Sequence, residues 1–166
     1  MKLIVSDGGK GLLPALEEVY PLVPKQRCWF HKMQNVANKV RKKDRPACVQ
    51  QLRGVYQAAN RREAVECFRD WARKWRGEYP RAVERVERDL DTLLNFYACP
   101  PEHRKMVRTT NAIERCIREV RRRTNSIGAR LEDDSIEIIV YAVFQDLNQR
   151  RARHVCHEFK TQHKVA

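Results

Sequence analysis

The sequence has no run of about 18 or more apolar residues, and it therefore predicts no membrane-spanning helix. A secretory signal peptide is not indicated either, because residues 1–5 lead directly into a strand-like stretch. We expect a cytoplasmic protein that has no membrane partner.

Paired cysteines are also lacking. The six cysteines are scattered over nearly the whole chain without a Cys-x2-Cys pair, so a zinc ribbon is not indicated. In a cytosolic protein these thiols are expected to be reduced, and several lie at apolar helix positions, where cysteine packs as a small hydrophobic residue.

Positive charge, in contrast, is in excess. The 34 Lys and Arg residues outnumber the 21 Asp and Glu residues, which gives a net charge of +13 and a pI near 9.8. Such an excess favours a polyanionic partner, and the planar guanidinium fork of arginine suits phosphate oxygens. A solvated basic surface is the alternative, and charge alone does not identify nucleic acid.

The first 45 residues predict a βαβ unit, the building block of α/β sheets. The short apolar run of residues 2–6 is typical of a buried strand, which Asp7-Gly8-Gly9 ends. A helix over residues 11–20 follows, then a second strand over residues 26–30, and a further helix begins at His31. 

Residues 46–101 have apolar positions at helical spacing and predict an all-helical insertion, whose third helix extends from Pro80 as far as Tyr97. The Trp and Tyr side chains of this segment are expected to form core. Residues 102–153 predict carboxyl-terminal helices that cover the sheet, and residues 154–166 form a tail. The predicted fold class is α/β and mostly helical.

The stretch of residues 108–124 combines isolated carboxylates with many guanidinium groups. Ile113, Ile117 and Val120 define a narrow apolar face of a predicted helix. Glu114 lies one turn before Arg118 on that helix, so a carboxylate shares a strip with positive charge. A helix of this kind is suited to lie along a phosphate backbone.

Ordinary structural roles also account for the two acidic residues of greatest interest. Glu114 lies three positions after Asn111, as in a capping box, and it is also placed to pair with Arg118, which is worth only about 0.3 to 0.5 kcal/mol. Asp7 with its two following glycines is a common turn sequence. Neither residue identifies a catalytic site by itself.

Three motifs that occur together in the sequence favour a functional role for Asp7 and Glu114 over the ordinary structural roles. The segments 6–12, 26–35 and 109–124, with Ile127-Gly128 behind them, together resemble the mutator-type transposases of bacterial insertion sequences. The resemblance covers nearly all of the chain and leaves residues 154–166 without a clear counterpart.

The resemblance implies an RNase H-like catalytic core in which two aspartates and a glutamate bind two divalent metal ions, Mg²⁺ or Mn²⁺. Asp7 matches the second aspartate and Glu114 the glutamate, so both are expected catalytic and metal-binding residues. Cys28 and His31 match the Cys-x2-His signature of the family, and zinc is not expected there. The residues expected to contact DNA are Arg108, Asn111, Arg115, Arg118, Arg121, Arg122 and Arg123.

One element of the family pattern has no counterpart in these 166 residues, namely the strand that carries the first aspartate. We therefore expect a carboxyl-terminal fragment with a truncated RNase H-like core, inactive alone in the strand cleavage and transfer of DNA transposition. Its expected partners are insertion-sequence ends and target DNA, further copies of itself or a full-length transposase. A non-catalytic basic module that binds DNA or transposase is the alternative.

Overall fold

A computed structural model of the protein describes residues 2–125 and 133–152. The chain divides into two compact units, of which the first ends at Thr110 and the second begins at Asn111. The first unit contains strands β1 (Ile4–Ser6) and β2 (Lys25–Arg27) and helices α1 (Leu12–Val19), α2 (Trp29–Ala37), α3 (Arg45–Gln57), α4 (Arg61–Trp75), α5 (Pro80–Glu87), α6 (Leu90–Leu93) and α7 (Pro101–Val107), with a 3₁₀ helix at Asn95–Ala98. The second unit contains α8 (Asn111–Thr124) and α9 (Asp133–Ala152).

The two strands are parallel, and α1 connects them, so the predicted βαβ arrangement and the mostly helical α/β class are confirmed. Ile4 pairs with Lys25 and Ser6 with Arg27. The second strand was predicted to end three residues too late, because Cys28 is the N-terminal cap of α2 and Trp29 already belongs to that helix. Trp29 is buried, and its indole Nε1 donates to the Leu93 carbonyl at 2.8 Å.

Helices α2 to α5 enclose the hydrophobic core of the first unit. Asn60 caps α4 by accepting a hydrogen bond from the backbone N–H of Glu63 at 3.0 Å, and Glu63 accepts in return from the Asn60 amide at 2.7 Å. The predicted Trp and Tyr core is confirmed: Trp71, Trp75, Tyr79 and Tyr97 are all buried.

The predicted third insertion helix is wrong as a continuous element. The chain between Pro80 and Ala98 forms α5, α6 and the 3₁₀ helix instead. In a continuous helix the Leu93 carbonyl would accept from the N–H of Tyr97, but that N–H donates to Leu94 at 3.1 Å. The Leu93 carbonyl accepts from the side chains of Gln26 and Trp29 instead.

The same segment protects the outer edge of β2. Gln26 is fully buried, donates to the Leu93 carbonyl at 2.9 Å and accepts from the N–H of Phe96 at 2.7 Å. Asn95 donates to the Lys25 carbonyl at 2.8 Å. Side chains therefore satisfy polar groups along this edge of the short sheet, where an unpaired strand would be exposed.

In the second unit α8 and α9 pack against each other. The predicted helix that carries Glu114 is confirmed, and it extends from Asn111 to Thr124. Within the residues described, no helix is both long and apolar enough to cross a membrane.

Candidate functional site

Asp7 directly follows the carboxyl end of β1 and begins a tight turn. Its Oδ1 accepts a hydrogen bond from the backbone N–H of Gly9 at 3.0 Å, and the side chain is exposed. This is an Asx-type turn, so the ordinary structural role of Asp7 is present. The turn also fixes an exposed carboxylate at the end of a parallel strand, a common location for ligand sites in α/β sheets.

Gly8 gives this turn its shape. Its backbone has φ of +81°, a left-handed conformation that glycine adopts readily. A Cβ atom added at Gly8 would lie 1.8 Å from Cζ of Arg27, so the guanidinium occupies the space of a side chain. Arg27 Nη1 also donates weakly to the Gly8 carbonyl at 3.4 Å. The last residue of β2 therefore packs directly on the Asp7 turn.

Arg27 is in turn held by a partly buried ionic cluster. Its Nη2 lies 3.4 Å from Oδ2 of Asp89, and the same carboxylate is bound by the ammonium of Lys32. Lys32 is only 4% exposed and also donates to the Arg85 carbonyl at 2.9 Å. Arg27, Lys32 and Asp89 thus form a network, from here on the Asp89 network, that links α2 and the end of α5 to the Asp7 turn.

Burial determines the electrostatics of the Asp89 network. It lowers the pKa of Lys32, because desolvation of the ammonium outweighs the attraction of Asp89. Burial would raise the pKa of Asp89, but the hydrogen bond from Lys32 and the charges of Lys32 and Arg27 hold that pKa below its ordinary value.

Sequence reasoning missed the Asp89 network. Asp89 lies within the predicted third insertion helix, and Lys32 and Asp89 are 57 residues apart, so no local spacing relates them. The one available signal was a lysine in the first turns of α2, on the side of the helix that carries buried Trp29 and Val36.

Cys28 of the Cys-x2-His motif is a buried packing residue. Its N–H donates to the Ser6 carbonyl at 2.8 Å, and its Sγ accepts from the N–H and Oγ1 of Thr110, both at 3.3 Å. Beside it, the N–H of Trp29 donates to the Arg108 carbonyl at 2.9 Å. The motif therefore fastens residues 108–110, which immediately precede α8, to the carboxyl ends of both strands.

His31 lies in the first turn of α2, partly exposed, with its ring edge-on to Phe30 at 5.6 Å. Among the residues described, no group of three or more His, Cys, Asp or Glu side chains is placed to hold a metal ion.

Arg108 has a structural role in the first unit. Its guanidinium lies 4.6 Å from the ring centroid of Tyr56, and its Nη1 donates to the Tyr56 carbonyl at 3.2 Å. A contact between Arg108 and DNA stays a prediction.

Helix α8 places Glu114 in its first turn, half-buried. Further along, Glu119 accepts from Arg122 at 3.2 Å and from Arg123 at 2.8 Å, and these hydrogen bonds lower the pKa of Glu119. Arg115, Arg118 and Arg121 are exposed at helical spacing, and no ion pair to any of them occurs within the described parts of the chain. These three residues, from here on the free arginines of α8, are the arginines of that helix without an acidic partner among the described residues.

Comparison with known proteins agrees with the motifs. The profile of the family described as "Transposase, Mutator family" matches residues 1–153. The transposase for insertion sequence element IST2 of Acidithiobacillus ferrooxidans is 40% identical over 122 residues, which are 74% of this chain and 41% of that protein. The transposase for element IS905 of Lactococcus lactis is 30% identical over 155 residues, 93% of this chain and 39% of that protein. 

A third relative, the transposase for element IS6120 of Mycolicibacterium smegmatis, is 38% identical over 74% of this chain and 38% of its own length. The chain thus spans about two fifths of the length of the curated relatives it matches. It belongs to the Mutator family of transposases.

Proposed function

We propose that the chain is part of the RNase H-like catalytic core of a DNA transposase, which cuts DNA at insertion-sequence ends and joins it to target DNA. Asp7 and Glu114 act in this proposal as two of three metal-binding carboxylates. The observation that carries it is the exposed Asp7 carboxylate, fixed at the end of β1 by the Gly9 N–H in a chain of this family.

The residues present suit a hard divalent cation. Mg²⁺ and Mn²⁺ prefer carboxylate oxygens, and the Asp7 carboxylate is accessible and held by a turn that Gly8 and Arg27 support. When bound, a pair of such ions activates the attacking oxygen and stabilises the leaving oxygen in phosphoryl transfer. Asp7 and Glu114 position that pair, and the free arginines of α8 neutralise phosphates of the DNA.

A site of this kind uses three carboxylates, and two of them match positions in these 166 residues. We therefore expect the 166-residue chain by itself to bind Mn²⁺ and DNA without cutting DNA efficiently. Catalysis in this proposal requires the remaining part of the transposase length, either in the same polypeptide or from a partner subunit.

A titration with Mn²⁺, followed by calorimetry, tests the metal site. Asp7→Asn and Glu114→Gln are each expected to weaken Mn²⁺ binding at least about tenfold, whereas Asp70→Asn on the exposed face of α4 leaves it unchanged. Equal Mn²⁺ affinity in the chain without substitutions and in all three variants would contradict the assignment.

The second candidate is a non-catalytic module that binds DNA or transposase. The exposed Arg115, Arg118 and Arg121, without ion pairs in the described region, favour it. A nicking assay on element-end DNA with Mn²⁺ separates the two functions: metal-dependent nicking that both Asp7→Asn and Glu114→Gln abolish indicates the enzyme. Salt-dependent DNA binding that neither substitution changes, without nicking, indicates the module.

A further inference from the structure

The first unit contains a cleft that none of the motifs predicted. It has a volume of about 310 Å³ and lies between α5 and the turn that follows α2. The residues that line it are Lys39, Arg81, Glu84, Arg85 and Arg88. Four cationic side chains thus surround one carboxylate in a concave site.

The sequence of α5 fixes the direction of its charged residues. Positions 81, 84, 85 and 88 share one side of the helix, because residues three and four apart are neighbours on a helix surface. The opposite side carries Ala82, Val83 and Val86, all with 0% exposure in the core. The helix cannot rotate its arginines away from the cleft without exposing that apolar side.

Lys39 reaches the same cleft from a different element. It lies just after α2, where its N–H donates to the Val36 carbonyl at 2.9 Å. Val36 and Val40 on either side are buried, which fixes this turn against the core. Two separately anchored elements therefore direct positive charge into one space.

The cleft differs from other basic positions of the first unit in the number of cationic side chains that line one concave site. Outside the cleft, several exposed arginines have acidic partners, in the pairs Arg61–Asp91, Arg62–Glu66, Arg73–Asp70 and Arg76–Glu87, whereas Arg53 and Arg69 have no ion pair within the described residues. In the cleft Arg88 pairs with Asp89 at 3.3 Å, but for Lys39, Arg81 and Arg85 the described residues provide no ion pair. Four cationic side chains and a single carboxylate, Glu84, therefore line one concave site, which leaves positive charge in excess there.

A solvated face of an amphipathic helix is the simpler explanation for the α5 residues alone. It does not account for Lys39, which comes from another element and brings a further positive charge toward three arginines. Like charges in a cleft repel one another, and a concave wall of low dielectric strengthens their field toward an incoming anion. An anion bound in the cleft would reduce this repulsion.

We propose that this cleft binds the phosphodiester backbone of duplex DNA, as a contact surface additional to the arginines of α8. The proposal rests on the proposed function, because DNA is the polyanion on which a transposase acts. Arginine forks bind phosphate oxygens in pairs of hydrogen bonds, and such contacts position a protein on DNA without reading its sequence.

The salt dependence of DNA binding tests the proposal. The chain would be titrated with a fluorescent duplex of arbitrary sequence over a series of salt concentrations, with fluorescence anisotropy as the readout. For the double variant Arg81→Gln/Arg85→Gln we expect the slope of log affinity against log salt to decrease by about 1.8, since each phosphate contact contributes about 0.9.

The matched control is Arg62→Gln/Arg73→Gln, which removes the same charge from exposed, ion-paired positions on α4. It should change the slope by less than about 0.9, which is the contribution of one phosphate contact. The variant Arg81→Lys/Arg85→Lys keeps the charge and should keep most of the slope, and circular dichroism verifies that each variant is folded.

Three outcomes would overturn the cleft proposal. If Arg81→Gln/Arg85→Gln and the α4 control have equal slopes, the cleft does not bind DNA, while the role proposed for α8 is unaffected. If the slope decreases as much in Arg81→Lys/Arg85→Lys as in Arg81→Gln/Arg85→Gln, the decrease does not come from the loss of positive charge that contacts phosphates. If the chain without substitutions does not bind DNA, both the cleft and the DNA-binding part of the proposed function fail.

Discussion

Gly8 shows how one residue without a side chain can support a candidate catalytic carboxylate. It combines a φ of +81° with a guanidinium group in the place of its Cβ. Gly8→Ala is therefore expected to lower the free energy of unfolding by about 1 to 2 kcal/mol, because alanine resists the left-handed conformation and Arg27 must move. Urea unfolding measures this change.

Gly54 provides the control for that substitution. It lies inside α3, and a Cβ added there meets no atom within 4 Å. Gly54→Ala is therefore expected to stabilise the protein by roughly 0.5 to 1 kcal/mol. If Gly8→Ala were as stable as Gly54→Ala, the close packing of Arg27 on the Asp7 turn would be contradicted.

Replacement of Asp89 is expected to destabilise the protein in a pH-dependent way. Asp89→Asn leaves the buried ammonium of Lys32 without its charged partner, and we expect a loss of about 3 kcal/mol of stability at neutral pH. The pKa of Asp89 is below its ordinary value of 3.8 in the folded protein. The contribution of the ionised Asp89 carboxylate to the free energy of unfolding is therefore complete above about pH 3.8. It is lost as the pH falls through the pKa that Asp89 has in the folded protein.

Urea unfolding at a series of pH values tests this account of Asp89. The difference in stability between Asp89→Asn and the unsubstituted chain should shrink on acidification below about pH 4. Glu17→Gln, which removes the exposed partner of Lys25, should cost less than about 1 kcal/mol. A difference for Asp89→Asn that stayed constant down to the lowest pH would rule out the lowered pKa.

At the scale of elements, the sequence predicts what depends on local pattern. The strand before Asp7, the helix after it and the presence of a helix at α8 follow from apolar spacing and from turn residues. The break between Pro80 and Ala98 could not be predicted in this way. It depends on the Leu93 carbonyl bonding to Gln26 and Trp29, which are more than 60 residues away in the chain.

A substitution of Gln26 tests whether its hydrogen bonds stabilise the break between Pro80 and Ala98. Gln26→Leu would leave the buried N–H of Phe96 without its side-chain acceptor and remove one donor to Leu93. We expect a loss of about 1 to 3 kcal/mol in urea unfolding. Gln50→Leu on the exposed side of α3 is the control and should stay within about 0.5 kcal/mol of the unsubstituted chain. Equal stability of the two variants would contradict the role of Gln26.

Helix α8 has two groups of arginines, and they should differ in DNA binding. Replacing Arg115, Arg118 and Arg121 together with glutamine should lower the salt slope by about 2.7, whereas Arg122 and Arg123 already bind Glu119 and should contribute less per residue. Anisotropy titrations of the two sets of variants test this difference. An unchanged slope in the triple variant would count against α8 as a DNA-binding helix.

At the scale of the whole molecule, the two residues proposed to bind metal, Asp7 and Glu114, belong to different units. The first unit holds Asp7 and, through Cys28 and Trp29, fastens residues 108–110 beside the ends of the strands. The second unit begins at Asn111, directly after this attachment, and carries Glu114 in the first turn of α8. 

Asp7 and Glu114 were selected from the sequence because their motifs match a family, and membership in that family is now shown. The Asp89 network and the basic cleft were not predicted, because each joins residues from different elements and neither has a local spacing. Sequence patterns predict the family and regular helices, whereas the contacts that join separate elements require the tertiary structure.

In the proposed function, Asp7 and Glu114 bind the same pair of divalent ions. A crystal structure of the chain soaked with Mn²⁺, in which anomalous scattering locates the metal, tests this proposal. We expect Mn²⁺ bound by oxygens of both carboxylates, at distances of about 2.0 to 2.3 Å. Carboxylates more than about 10 Å apart, beyond the reach of one two-metal site, would contradict it.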